Sequence, residues 1–320
     1  LSFLNERTLG ENPDIRRPGP GVPEAPADAK ASGDGAEPGR EPAVAGMPAA
    51  DLPYGLNREQ WEAVSVGGRT IAVIAGPGTG KTKTLTGRIA YLVEKCGVSP
   101  AHITAVTFTN KAAQEMSRRL RQHFGSNRIA GAMTIGTFHS ICLRMLSQWR
   151  GEGNVTIIDE YNALAIMEEI VKSMKTALSP REALKEISLL KNAAATAGAK
   201  KNAAELAAVY GAYCSRLKSY GAMDYDDILL AVLRRFEGEN KEGIAGESLE
   251  NPCSHLLVDE FQDINELQYR LIKEWGKNSE SIFIIGDPDQ SIYGFRGSDF
   301  RYFAKFAQDF PGIRQVRLTQ

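Results

Sequence analysis

The sequence predicts an α/β fold: a doubly wound parallel sheet with helices on both faces, interrupted by an inserted all-helical subdomain. Three observations support this. Six short apolar runs rich in β-branched residues are continuous, not alternating, as expected of strands buried on both faces. They are Thr70–Ala75, Ile103–Phe108, Met133–Thr137, His255–Val258, Ile282–Ile285 and Val316–Leu318. Helical stretches lie between them, among them Thr82–Lys95, Lys111–Phe124, Phe138–Trp149 and Asn265–Lys277, the alternation a parallel sheet needs. Finally, the first run leads directly into the glycine-rich turn Ala75-Gly76-Pro77-Gly78-Thr79-Gly80-Lys81-Thr82.

Taken in order, residues 1–55 read as a disordered linker. Nine of the 15 prolines fall there, among Gly, Ala and acidic residues, and such a stretch buries too little apolar surface to offset its ordering entropy. A functional tail is the alternative. The first residue is Leu, which suggests a fragment, a processed chain or an unusual start codon, with an upstream domain fused beyond the linker. The linker carries five basic and nine acidic residues, so a chain of net charge −1 leaves +3 on the remainder. That permits a nucleic-acid groove without demonstrating one.

Residues 56–150 and 224–320 hold the strand-bearing blocks. Between them, 151–223 is rich in Ala, Leu, Glu and Lys, has no convincing strand after Val155–Ile158, and reads as several amphipathic helices. No apolar run approaches the roughly 18 residues a membrane span needs, and the first thirty residues lack the apolar core of a signal peptide. Cys96, Cys142, Cys214 and Cys253 are far apart, which argues against a zinc site or a disulfide framework and fits a reducing cytoplasm.

The chemistry starts at the turn. Glycines let backbone N–H groups close around phosphate oxygens, and the helix that follows directs its positive end at the same anion. Lys81 is placed to reach the β- and γ-phosphates of a nucleotide such as ATP, and Thr82 to ligate Mg²⁺. Ala75 stands at the first position of the usual G-x-x-x-x-G-K-[ST] pattern, where only a small residue is needed. The run His255–Val258 leads into Asp259 and Glu260. Asp259 is the candidate Mg²⁺ ligand, direct or through the ion's water, and Glu260 the candidate general base for the attacking water. A helix cap is the bland reading of Asp259. After the run Ile282–Ile285, Gln290 in Gly286-Asp287-Pro288-Asp289-Gln290 is placed to sense the γ-phosphate or the water.

These segments, taken together, resemble one family. Leu56-Asn57-Arg58-Glu59-Gln60, AGPGTGKT, TFTNKAAQEM, GTFHSIC, DYDDIL, VDEFQD and GDPDQSIYGFRG occur in the order found in superfamily 1 helicases of the UvrD/Rep/PcrA type, across residues 56–320. The resemblance implies a RecA-like P-loop NTPase fold. It also implies a motor that moves 3′ to 5′ along single-stranded DNA and unwinds duplex junctions, in repair or replication. It assigns adenine reading to Gln60 and a nucleotide-side basic position to Lys83, and it supports the roles of Lys81, Thr82, Asp259, Glu260 and Gln290. On the DNA side it implies stacking or wedge roles for Phe108, Tyr293 and Phe295. Thr109, Asn110, Lys111, Thr137 and His139 fall to backbone contacts, and Arg296 bridges the two sites. Phe295 stands where the family commonly has Trp, and Phe261 where it has Tyr. The family's next motif and second motor domain, with their arginines, fall beyond Gln320. The 320 residues by themselves are therefore expected to bind nucleotide weakly, to turn it over slowly or not at all, and not to unwind DNA. An ATP-dependent binding module and a helicase–nuclease fusion are the competing readings.

Overall fold

A computed structural model of the chain describes residues 52–150, 156–192, 203–238, 253–290 and 301–319. Residues 1–51, which hold nearly all of the expected linker, lie outside them. The described chain opens with a short 3-10 turn, Pro53–Gly55, and helix α1, Arg58–Ser65. Asn57 and Gln60 close a reciprocal capping box at the start of α1, satisfying donors that a helix start leaves free. Strand β1, Thr70–Ala75, passes through the glycine turn into α2, Lys81–Glu94. There follow β2, Ile103–Thr107; α3, Asn110–Phe124; α4, Asn127–Ala132; β3, Thr134–Thr137; and α5, Phe138–Arg150. The inserted block comprises β4, Thr156–Ile157; α6, Glu160–Met174; α7, Pro180–Asn192; α8, Ala203–Ser219; and β5, Ala222–Met223. The chain then returns through α9, Tyr225–Phe236; β6, His255–Val258; α10, Glu266–Gly276; β7, Ser281–Gly286; α11, Arg301–Asp309; and β8, Arg314–Leu318.

Six strands form one sheet in the order β3-β2-β6-β7-β1-β8, and every neighbouring pair is parallel. The two faces divide the apolar runs residue by residue. Ala72, Val106, Leu256, Val258, Ile282 and Ile284 join a core with residues of α5, α9, α10 and α11. Ile71, Val73, Ile103, Ala105, Leu257, Phe283 and Ile285 face a second core built with α2 and α3. Successive side chains of a strand point to opposite faces, so covering both faces demands uninterrupted apolar runs. Because all the strands run the same way, the turns after β1, β6 and β7 emerge at one edge of the sheet, where α/β proteins hold ligands.

Helices α6, α7 and α8 enclose a separate apolar core around Met167, Ile170, Ile187, Val209 and Tyr213. The inserted block also contains a feature the helical periodicity did not predict: β4 and β5 pair in parallel, Thr156 with Ala222 and Ile157 with Met223. Its junction with the sheet-bearing part combines apolar contacts of Ile157 and Met223 with a polar clamp. The Lys191 side chain is fully buried, with Nζ 2.6 Å from Asp224 and 2.7 Å from Asp227. Burial works against the Lys191 charge, but the two carboxylates outweigh it and hold its pKa above the ordinary value. Ser188 Oγ donates to Asp226 at 2.6 Å and Asn192 Nδ2 to Asp226 at 2.9 Å. The DYDDIL segment is thus a clamp on α7. Among the described residues, no helix is long and apolar enough to cross a membrane.

Removing the cation strands two carboxylates in this joint. Lys191→Ala is expected to lower unfolding stability by about 3–5 kcal/mol, measured by urea denaturation; a loss below about 1 kcal/mol contradicts a buried, satisfied clamp.

Candidate nucleotide site and nucleic-acid cleft

The turn after β1 is shaped by glycine. Gly78 and Gly80 have φ of 75° and 82°, the left-handed region that side chains disfavour. At Gly80 space decides as well, since a Cβ would lie 2.5 Å from Gln60 Nε2. Gly80 is the N-cap of α2 and supplies no side-chain cap, so the first-turn N–H groups remain available to an anion. Thr79 closes the turn, its hydroxyl donating to the Gly76 carbonyl at 2.8 Å. Ala75 is fully buried and pairs in register with Leu318. Pro77 is exposed and Thr82 half-buried.

Gln60 supports this turn from α1. Its Nε2 donates to the Thr79 carbonyl at 2.8 Å and its Oε1 accepts the Asn57 N–H at 3.0 Å. A glutamine amide has two donor hydrogens and two acceptor lone pairs, so one of each remains for a base edge. Lys83, expected beside the nucleotide, has a different partner here. It is exposed, and its Nζ donates to the Gly55 carbonyl.

The carboxylates arrive from β6. Lys81 Nζ lies 3.4 Å from Glu260 Oε2, joining the turn after β1 to the turn after β6. Glu260 itself sits at φ 48°, ψ 48°, a left-handed conformation that costs a non-glycine residue of order 1–3 kcal/mol. Its backbone N–H donates to Asp259 Oδ1 at 3.0 Å. Burial and then the neighbouring Glu260 charge push the Asp259 carboxyl up to about 6, against the pull of the Glu260 N–H and Lys81. The same two causes raise Asp263 to about 6, and its Oδ1 is buried with no hydrogen-bond partner. Such a surplus of acceptors suits a cation, while the turn after β1 offers donors to phosphate. From β7, Gln290 Nε2 donates to Asp287 Oδ2 at 2.6 Å. Phe261, where a Tyr is common in the resembling family, is fully buried, with ring contacts to Phe303 and Phe306 at 4.9 and 5.3 Å between centroids.

The family model of the UvrD/REP helicase N-terminal domain matches residues 56–311. The chain belongs to the UvrD/REP helicase family. It is 36% identical over 278 residues to the ATP-dependent DNA helicase PcrA of Staphylococcus aureus, and equally so to that of Staphylococcus epidermidis. The match covers 83% of this chain and 37% of each relative, so the chain spans little over a third of their length.

This UvrD/REP-family chain brings four of the residues expected to meet DNA into one cleft of 1410 Å³ between the sheet edge and the insert: Phe108, Thr109, Thr137 and His139. Phe108 is half-buried at the end of β2. The Thr109 hydroxyl caps α3 by accepting the Ala112 N–H at 3.1 Å, and the Thr137 hydroxyl accepts the Ser140 N–H at 3.3 Å. Both hydroxyls therefore serve helix starts first. Asn110 and Lys111 are exposed in the first turn of α3. Burial holds the His139 ring below its ordinary pKa despite Asp226, so it is neutral at pH 7; its ring meets Tyr225 edge-on at 5.6 Å. Six carboxylates line the cleft, among them Asp159, Glu160 and Glu266, against the two cations Arg181 and Lys185. Sequence reasoning assigned no role to these residues or to Gln262 and Asp263; the tertiary fold alone brings them together. Tyr293, Phe295 and Arg296 lie outside the described residues.

Asp259 and Asp263 both bind protons more tightly than the ordinary carboxyl at 3.8. Their contribution to stability is therefore full below about pH 4 and is lost as pH rises through about 6. In magnesium- and nucleotide-free protein, Asp259→Asn is expected to flatten the fall in melting temperature between these pH values and to raise it at pH 7.5. An unchanged pH profile in that variant contradicts the assignment.

Proposed function

We propose that this chain is the ATP-binding and hydrolysing part of a 3′–5′ DNA-translocating helicase acting in the cytoplasm in DNA repair or replication. Residues 56–150 and 224–320 form its motor domain and 151–223 the insert. The observation that carries the reading is the contact of Lys81 with Glu260, which unites the phosphate turn and the carboxylate turn at one sheet edge. The relatives' description as ATP-dependent DNA helicases supports it.

Backbone N–H groups of the Gly76–Thr82 turn, Pro77 apart, and the Lys81 ammonium hold the phosphates, and Gln60's spare donor and acceptor meet the adenine edge. Thr82 and Asp259 would hold Mg²⁺, whose charge would offset that of the phosphates. Among the described residues no group of three or more His, Cys, Asp or Glu is placed to hold a metal ion by itself; Mg²⁺ typically keeps waters and substrate phosphates in its shell. The Lys81 charge pairs with Glu260 until phosphate competes for it. Glu260 is then free to take the proton of the attacking water at its carboxylate, and Gln290 orients that water or the γ-phosphate.

Single-stranded DNA is bound by stacking and by phosphate contacts. Phe108 supplies a ring face, with Tyr293 and Phe295 in the same role, and Arg296 links this side to the nucleotide. Phosphates run past the first turns of α3 and α5, where Thr109, Asn110, Lys111, Thr137 and neutral His139 present donors. The acidic residues of the lining oppose a phosphate backbone beside them.

The test uses the full-length protein that carries these residues. Lys81→Ala is expected to abolish DNA-stimulated ATP turnover while leaving the protein folded. Phe108→Ala is expected to weaken single-strand binding by about 1–3 kcal/mol, read by fluorescence anisotropy. Wild-type turnover in Lys81→Ala, or ATP turnover indifferent to DNA in the wild type, overturns the proposal.

A further inference from the structure

Gln262 connects the turn after β6 to the turn after β7. Its side chain belongs to a residue only 2% exposed, in the 3-10 turn Phe261–Asp263. Nε2 donates to Glu260 Oε2 at 2.8 Å and lies 3.3 Å from Asp263 Oδ2. Oε1 accepts the Asp287 N–H at 2.9 Å, a buried bond spanning 25 residues of sequence. Asp287 in turn organises the rest of its loop. Its carboxylate accepts from the Asp289 N–H at 3.0 Å and from Gln290 Nε2 at 2.6 Å, and its carbonyl accepts the Gln290 N–H at 3.1 Å. A single amide therefore holds the Glu260 carboxylate with one end and the loop bearing Gln290 with the other.

The chemistry of the position is narrow. It requires a donor toward a carboxylate and an acceptor toward a backbone N–H on one neutral group, which a terminal amide supplies. The passage between the strands is equally narrow. A Cβ on Gly286 would stand 2.4 Å from Gln262 Oε1 and 2.9 Å from the Phe261 nitrogen. Gly286 has ordinary backbone angles and is required by space alone, to let the amide cross.

We propose that Gln262 is a positioning residue that fixes Glu260 relative to the Asp287–Gln290 loop, so that the proton acceptor and the γ-phosphate sensor keep one geometry. The inference rests on the hydrolytic reading of this site. It assigns Gln262 no contact with nucleotide; the residue acts through Glu260 and Asp287. Its loss should therefore lower kcat and spare KM, because the groups that bind the nucleotide stay in place.

The experiment compares wild type, Gln262→Glu, Gln262→Met and Gly286→Ala in the full-length protein, with two readouts. The first is hydrogen exchange of the Asp287 amide without nucleotide. Gln262→Met removes its acceptor and is expected to speed exchange about tenfold, whereas Gln262→Glu keeps an acceptor and should leave it protected. The second is steady-state ATP turnover. Gln262→Glu and Gln262→Met are both expected to lose about tenfold or more in kcat, with KM within about twofold. Gly286→Ala, approaching the same amide from β7, should reproduce Gln262→Met in both readouts, and the double variant should be no worse than either single one. Normal wild-type turnover with kcat of Gln262→Met within about twofold, or an unprotected Asp287 amide in the wild type, overturns this inference alone. No turnover by the wild type, with the exchange pattern as expected, overturns the hydrolytic reading instead.

Discussion

The Lys81 ammonium and the Glu260 carboxylate meet at 3.4 Å between turns that leave different strands. Their separation depends on the whole sheet. β1 and β6 are not neighbours; β7 lies between them, and its own turn adds Asp287 and Gln290 to the same edge. Only a parallel arrangement delivers three such turns to one edge, and only a sheet covered on both faces holds parallel strands in water. The two apolar cores are thus the condition for the polar site. The Lys81 side chain is 12% exposed and that of Glu260 35%, so the pair is partly shielded, and the neighbouring Asp259 and Asp263 make that one cation the counterweight to several acids.

Much of this was legible in the residues. The uninterrupted run TIAVIA announces a strand buried on both sides, and Gly78, Gly80 and Lys81 announce an anion site, because each depends on local backbone chemistry. Asn57 and Gln60 are spaced as a capping pair, so their bond belongs to the same readable class. What escaped depends on distant partners. Ala222–Met223 is a strand only because Thr156–Ile157 lies beside it, and two residues carry no periodicity. Lys83 finds the Gly55 carbonyl, a choice set by how the chain before α1 folds back on α2. Gln262 lies within a motif visible in the sequence, yet its two bonds depend on β6 and β7 being adjacent.

The cleft expected to meet DNA shows the same division. Phe108, Thr109, Thr137 and His139 share a cleft because β2 and β3 are neighbours and end together. The opposite wall comes from an insert with its own apolar core, joined to the sheet-bearing part through Lys191, Asp224, Asp226 and Asp227. The charges and amides of this joint fix its geometry beside the apolar contacts that Ile157 and Met223 make with the sheet-side core. Two of the joint's acids, Asp224 and Asp226, also line the cleft.

The most direct measurement is a structure of the protein with Mg²⁺ and a non-hydrolysable ATP analogue. Lys81 Nζ is expected to leave Glu260 for the phosphates, with the analogue seated on the Gly76–Thr82 turn and Glu260 and Gln290 facing its terminal phosphate. An analogue bound elsewhere, or seated on the turn with the Lys81–Glu260 contact still intact, contradicts the central assignment.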